Sequence, residues 1–316
     1  MAKVADIYFA VDPWKIIEDG FDPAYSRVSE SVFSLGNETQ GVRGCFDEGG
    51  SVDSLRGAYT NGVFDMEQFS RSYKGIIDKT HFMVPSAEWL MTEIVLDNEK
   101  LDLGKVRFED FTRVLDMRAG TLTRSFVWTT ESGKQLKLTF LRFMDMVHRE
   151  RAYQRVTMEA LNFDGEVAFT TGLSFDAVHE GYRKCFWQNA RVEAESSRML
   201  LKARTTASNQ EEFAGALVSL PGEVAISKNE KTAALRCNVP LTCGQPVRLD
   251  KRVVVVFDGT EGDALWQNGL AALDACAAVS LDEAMEAQRT YWEAYWQTSD
   301  IDIIPAGDDT AELVAA

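Results

Sequence analysis

Polar and apolar side chains alternate through the middle of the chain. Gln135-Leu136-Lys137-Leu138-Thr139-Phe140 changes character at every step, as a strand with one buried face requires. Leu122-Thr123-Arg124-Ser125-Phe126-Val127-Trp128 is similar. The turn residues Glu131-Ser132-Gly133-Lys134 between them make the pair a predicted hairpin. Residues 155–161 also alternate, and a turn over 162–165 leads into a further strand at 167–171. In Val253-Val254-Val255-Val256-Phe257 the alternation becomes a continuous β-branched run, expected of a strand covered on both faces. From about residue 30 to residue 258 the pattern is short strands and frequent turns with no helices between them. It predicts stacked antiparallel sheets rather than βαβ units.

The period changes near residue 260. Residues 263–277 are alanine-rich and helix-forming, and Ser280-Leu281-Asp282-Glu283 is a capping box that opens a second helix. That helix places Leu281, Met285, Trp292 and Trp296 on one stripe, widened by Ala284, Ala287, Tyr291 and Tyr295. Two readings of the stripe stay open: it packs on the chain's own sheets, or part of it awaits a domain that the chain does not contain.

Composition narrows the partners. Of 316 residues, 45% are hydrophobic and 26% charged, which is ordinary for a globular protein, but the formal net charge is −16. Such a surface repels phosphate backbones and anionic membranes, and no basic patch offsets it, so neither nucleic acid nor a membrane is an expected partner. No apolar run is long enough for a membrane span, and Asp6 and Asp12 interrupt the start, against a signal peptide. Five cysteines at irregular spacing, with no CxxC pair, predict reduced thiols in a cytoplasmic protein.

Candidate chemistry is sparse. His81, His148 and His179 are too scattered for a metal cluster, and no metal site is expected. His148 is weighed as a general base against a hydrogen-bonded structural histidine. No GxSxG elbow, Walker loop or dinucleotide loop occurs, and no carboxylate pair for glycoside hydrolysis can be chosen from the abundant acids. The stretch that most resembles a site is ESVFSLGNETQGVRGCFDEG, residues 30–49. Its glycines predict positive φ or close backbone approach at a turn between two strands. Arg43 presents a rigid fork of donors to backbone carbonyls or a carboxylate, with Glu30 and Asp47 as candidate partners. Glu30, Asn37, Arg43, Asp47, Glu48 and Tyr59 form a structural or pocket-shaping motif. The loop from Asp47 to Tyr59 is read either as scaffold or as the wall of a sugar pocket.

FDPAYSRVSESVFSLGNETQGVRGCFDEG, continuing to GAYTNGVFD, resembles the N-terminal domain of the family 65 glycoside hydrolases, the maltose, kojibiose, nigerose and trehalose phosphorylases. The similarity continues through VLDMRAGTLTRSFVW, LRFMDMVHRERAYQRVTME and AQRTYWEAYWQTSDIDI. It implies a mainly β fold, an antiparallel super-sandwich of galactose-mutarotase-like topology, followed by C-terminal linker helices. By that resemblance residues 1–258 are the sandwich and 259–298 the linker. Residues 299–316 are the start of an (α/α)6 catalytic barrel or a disordered tail. It further implies that the barrel holds the general acid and the phosphate site, so this chain has no catalytic residue of its own. Inorganic phosphate is then the parent's co-substrate, with no other cofactor. An α-glucosyl saccharide, the barrel and a second copy of the chain in a dimer are the implied partners. Glu38-Thr39-Gln40 departs from the commoner glycine, tyrosine and apolar residue after Asn37, which leaves the disaccharide open. The alternatives are a stand-alone carbohydrate-binding or assembly module, and a mutarotase-like epimerase that needs a histidine and a carboxylate in one pocket.

Overall fold

The computed structural model describes residues 10, 12–73 and 77–301. In chain order the strands are β1 (Lys15–Asp19), β2 (Leu35–Gly36), β3 (Gln40–Val42), β4 (Ala58–Thr60), β5 (Phe64–Tyr73), β6 (Ile77–Met83) and β7 (Thr92–Leu96). Then come β8 (Glu99–Lys100), β9 (Arg107–Asp116), β10 (Thr121–Thr129), β11 (Gln135–Met144), β12 (Arg151–Ala160), β13 (Gly165–Ser174) and β14 (Val178–His179). The last are β15 (Lys184–Cys185), β16 (Trp187–Glu195), β17 (Arg198–Thr205), β18 (Glu211–Val218), β19 (Ala225–Lys228), β20 (Thr232–Leu241) and β21 (Val247–Val256). The helices are α1 (Ser26–Val32), α2 (Gly262–Ala277) and α3 (Leu281–Ser299).

A nine-stranded sheet, in the order β1-β9-β10-β11-β12-β21-β18-β17-β16, faces a five-stranded sheet, β19-β20-β13-β7-β8. Every pairing in both is antiparallel. The expected hairpin is β10–β11, with Trp128 opposite Leu136 and Phe126 opposite Leu138. At the turn after β12 the chain leaves the larger sheet and enters the smaller as β13. Apolar residues of both sheets meet between them, among them Phe126, Leu138, Met158, Val167, Phe169 and Val239. On β21, Val253 and Val255 face this interior while Val254 packs beneath the helices with Leu265 and Leu273. The β-branched run is therefore buried on both faces, as the sequence predicts.

Two expectations change. The strand-only region begins after α1, whose last turn includes residues 30–32. It follows a 3-10 turn in which the Asp22 carboxylate accepts from the Ala24 N–H and Pro23 fixes the entry. On α3 the capping box forms as predicted. The buried line, however, runs through Leu281, Ala284 and Gln288, while Ala287 and Tyr295 are exposed. Gln288 explains the offset: its amide donates to the Met144 carbonyl (3.1 Å) and its oxygen accepts from the Met146 N–H (2.9 Å), which pins the helix to the end of β11. Trp292 and Trp296 sit half-buried at the margin. Trp296 donates to the Met117 carbonyl at 2.9 Å. The stripe thus packs on the sheets at its start and is only partly covered at its end. Most of the tail from residue 299, namely 302–316, lies outside the described residues.

Candidate functional site

Across five neighbouring strands one row on the otherwise apolar inner face of the large sheet is polar, where period two calls for apolar side chains. Arg113 on β9 stands opposite Arg124 on β10, Arg142 on β11 opposite Gln154 on β12, and Gln154 opposite Lys251 on β21. All five are buried. The segment from residue 43 to 48 lies against this row. It is irregular backbone inside the protein, so its carbonyls need donors. Arginines supply them one after another. Arg142 donates to the carbonyls of Arg43 (3.0 Å) and Cys45 (2.9 Å), Arg113 to that of Gly44 (2.9 Å), and Arg56 to that of Phe46.

The acids of the same segment balance the row. Glu48 accepts both arms of the Arg124 fork, which lies over the rings of Phe46 and Phe140 at 4.2 and 4.3 Å. Asp47 accepts from Gln154 (2.7 Å) and Arg142 (3.2 Å) and is 3.6 Å from Arg124. Glu18 on β1 pairs with Arg113 at 2.5 Å. The FDEG motif is thus a buried plug held against the polar row of the large sheet.

Arg43 itself turns towards α1. It donates to the Ser31 hydroxyl (3.0 Å) and the Arg27 carbonyl (3.3 Å), and lies 3.8 Å from Glu30. Asp47 is not its partner, a correction forced by the arginine row, which claims that carboxylate. Asn37 makes the turn between β2 and β3: its oxygen accepts from the N–H groups of Thr39 and Gln40, and its amide donates to the carbonyls of Asp145 and Arg149. Glu38 and Gln40, the departures from the family pattern, both reach Arg149 in the β11–β12 turn. Tyr59 on β4 lies over Gly57.

The glycines behave differently from expectation in one respect. Gly36, Gly41 and Gly44 have no positive φ, unlike Gly49 (67°) and Gly50 (125°). Gly44 is required by close approach: a Cβ there would stand 2.7 Å from Phe33 Cβ and 2.8 Å from its carbonyl oxygen. Gly44→Ala is expected to cost about 1–3 kcal/mol. Gly41→Ala, whose nearest neighbour would be 3.7 Å away, should stay within about 0.5 kcal/mol of the parent. Urea midpoints compare the two; equal midpoints would refute the packing account.

Beyond the plug the chain rises into a loop over residues 50–57 that is held at three places. Asp102 accepts from the Ser51 N–H (3.0 Å) and hydroxyl (3.1 Å) and from the Gly104 N–H (3.0 Å). Burial alone would raise the Asp102 carboxyl, but these donors overcome it and hold its pKa below the ordinary value. Buried Glu30 accepts from the Ser54 hydroxyl and the Leu55 N–H (2.8 Å). Arg56 bridges to Glu88 at 3.3 Å; burial opposes its charge, and Glu88 reverses the balance so that its pKa is raised. The loop forms one wall of a groove of about 630 Å³, completed by Ser86, Glu88, Ser174, Asp176 and Glu180. None of Glu30, Asn37, Arg43, Asp47, Glu48 or Tyr59 lines this groove. Glu30 holds its wall from behind through Ser54 and Leu55, and the Arg43 N–H does so through the Gly57 carbonyl, whereas Asn37 and Glu48 make their bonds elsewhere. The polar wall residues Asp53, Ser54 and Arg56 were legible only as members of the loop, and Glu88, Asp176 and Glu180 carry no sequence signal.

The histidines lie apart from one another. His148 is exposed in the β11–β12 turn, where its backbone N–H rather than its ring donates to Asp145 (3.0 Å), so it is not the hydrogen-bonded structural side chain weighed above. His179 packs against Phe82 and Tyr182, each 5.0 Å away. No contact joins the two among the described residues. All five cysteines are free. Among the described residues, no group of three or more His, Cys, Asp or Glu is placed to hold a metal ion, and no helix is long and apolar enough to cross a membrane.

Residues 16–295 match the family model described as glycosyl hydrolase family 65, N-terminal domain. An uncharacterized glycosyl hydrolase of Mycobacterium tuberculosis is 27% identical over 93% of this chain, and a kojibiose phosphorylase of Halothermothrix orenii 24% identical over 95%; each match covers 39% of the relative. A maltose phosphorylase of Bacillus subtilis is 30% identical over 62% of this chain, covering 26% of that relative. A solved structure described as a candidate kojibiose phosphorylase from the human microbiome superposes with a TM-score of 0.90 at 29% identity, covering 98% of this chain and 41% of its own.

Proposed function

The chain belongs to the glycosyl hydrolase family 65 N-terminal domains, and from that premise we propose that it is the non-catalytic part of a phosphorylase acting on an α-glucosyl disaccharide. Inorganic phosphate attacks the anomeric carbon with inversion, in the place water takes in an inverting hydrolase. The reacting groups belong to an (α/α)6 barrel that follows α3. Residues 1–258 are the sandwich, 259–298 the linker, and the barrel begins at or after residue 299. One observation carries this reading: nearly the whole chain aligns to 39% of a relative named a kojibiose phosphorylase. The polar groove under the 50–57 loop is the surface offered to the barrel, because the loop is fixed by buried carboxylates and can shape a neighbouring pocket at little entropic cost.

The chain alone, given kojibiose, maltose, nigerose or trehalose with phosphate, is expected to release no glucose 1-phosphate, while a polypeptide extended through the barrel releases it. Enzymatic detection of glucose 1-phosphate reads both. Release by the present chain would end the proposal.

A further inference from the structure

A second cavity, of about 520 Å³, lies between the last two turns of α3 and the turn joining β9 to β10. Its volume is within the range of small-molecule sites, and its lining combines aromatic walls with convergent polar groups. Trp14 and Trp296 meet edge to face, with centroids 5.2 Å apart. Trp296 is fixed by its bond to Met117 and by stacking on Trp292 at 5.7 Å, and the Arg118 guanidinium lies 4.3 Å from the Trp14 ring centre. The indole corner is therefore formed before any ligand arrives.

Part of the polar side of the cavity is unspent, although Arg289 already pairs with Glu286 and Asp116 accepts from the Arg118 and Ala119 N–H groups. Glu293, Gln297 and Asp300, at spacings of four and three along the helix, line it. Among the described residues their side chains make no hydrogen bond or ion pair. The end of α3 also leaves carbonyls without helical partners. Asp116, Glu293 and Asp300 supply three carboxylates, against the guanidiniums of Arg118 and Arg289. The lining carries net negative charge, more so because Arg289 is already paired with Glu286, so a phosphate or carboxylate ligand is repelled, and a bare metal ion is attracted but is too small to fill a cavity of about 520 Å³. A neutral polyol meets no net repulsion, gives hydroxyl protons to the acids and takes hydrogen bonds from the guanidiniums. Its C–H face suits an indole wall.

We propose that this cavity binds a neutral oligosaccharide, as a site separate from the groove under the 50–57 loop. The proposed function contributes the expectation of α-glucosyl saccharides; the cavity supplies the rest. Titration of the full chain with maltotriose, read by tryptophan fluorescence and calorimetry, is expected to saturate with a Kd on the order of 1 mM. Glucose 1-phosphate is expected to bind at least about tenfold more weakly. The double variant Glu293→Ala/Gln297→Ala, at exposed positions, should lose about tenfold or more in affinity with an unchanged urea midpoint. Arg198→Ala, on β17 next to the far edge of the sheet, should leave binding unchanged. Absence of a saturable signal, equal affinity in the double variant, or loss of binding in Asp53→Ala instead would each overturn the proposal, as would loss of the titration in a chain extended through the barrel. Glucose 1-phosphate release is a separate measurement, so failure of the phosphorylase reading leaves this result distinguishable.

Discussion

Replacing Arg124 with alanine is expected to destabilise the protein by about 3–5 kcal/mol, the range found when one member of a buried ion pair is removed. Arg124 is 3% exposed and Glu48 6%, so water cannot take the place of the lost guanidinium. The change leaves the Glu48 carboxylate without either of its charged hydrogen bonds, removes a partner 3.6 Å from Asp47, and empties the space between the rings of Phe46 and Phe140. Because Asp47 also holds Arg142 and Gln154, the loss spreads along the row and loosens the base of the 50–57 loop. Half-buried Arg198, paired at the surface with Glu195 three residues earlier, is the contrast: Arg198→Ala should cost no more than about 1 kcal/mol. Urea unfolding at neutral pH distinguishes the two through the midpoint at constant slope. An Arg124→Ala midpoint equal to that of Arg198→Ala would show that the plug is not held by charge.

Glu212 is expected to give the next largest effect, and a pH-dependent one. It is wholly buried: one oxygen accepts from the Ser86 hydroxyl and the Ala87 N–H, and the other has no partner. Burial disfavours the charge more than these donors restore it, and the pKa is pushed up to about 7 from 4.5. A raised carboxyl contributes its stability fully below pH 4.5 and loses it as the pH rises to about 7, since the native state there holds a proton that the unfolded state has released. In Glu212→Gln this slope disappears. The difference in stability between variant and parent should move in the variant's favour by about 3 kcal/mol between pH 4.5 and pH 8. Chemical denaturation at both pH values measures it, and a difference that stays flat would refute the account.

Lys251 has the opposite slope. Burial lowers its pKa to about 7, against the charges of Glu88 and Asp47. The stability it contributes is present above the unfolded value of 10.5 and is lost as the pH falls to about 7. Its ammonium still joins the two sheets, donating to the carbonyls of Trp89 (2.6 Å) and Gly172 (2.7 Å) and to the Thr171 hydroxyl (3.0 Å).

Much of the architecture is written locally. The β10–β11 hairpin, the both-faced burial of β21 and the capped start of α3 each follow from side-chain spacing or turn chemistry within a dozen residues, and such signals need no knowledge of the partner. The signal for the plug was also present, in Leu122-Arg124-Phe126-Trp128 on one face of β10: an arginine at a position where alternation calls for an apolar residue. Period two tells which residues share a face but is silent on what that face meets. That Arg113, Arg124 and Arg142 would meet the carbonyls and acids of residues 43–48 depends on strands β9 to β11 being brought over a segment some 65 to 100 positions earlier. The groove wall likewise joins residues 50–58 to Glu88, Asp176 and Thr232. The chain alone thus determined its antiparallel strands and its two C-terminal helices, but neither the short α1 nor the buried face of α3, which Gln288 sets by bonding to the end of β11. Tertiary packing decided that the site-like glycine and acid motif is a buried clamp and that the open surfaces lie elsewhere, because the burial and pairing of a charge depend on distant groups that only the folded sheets bring together.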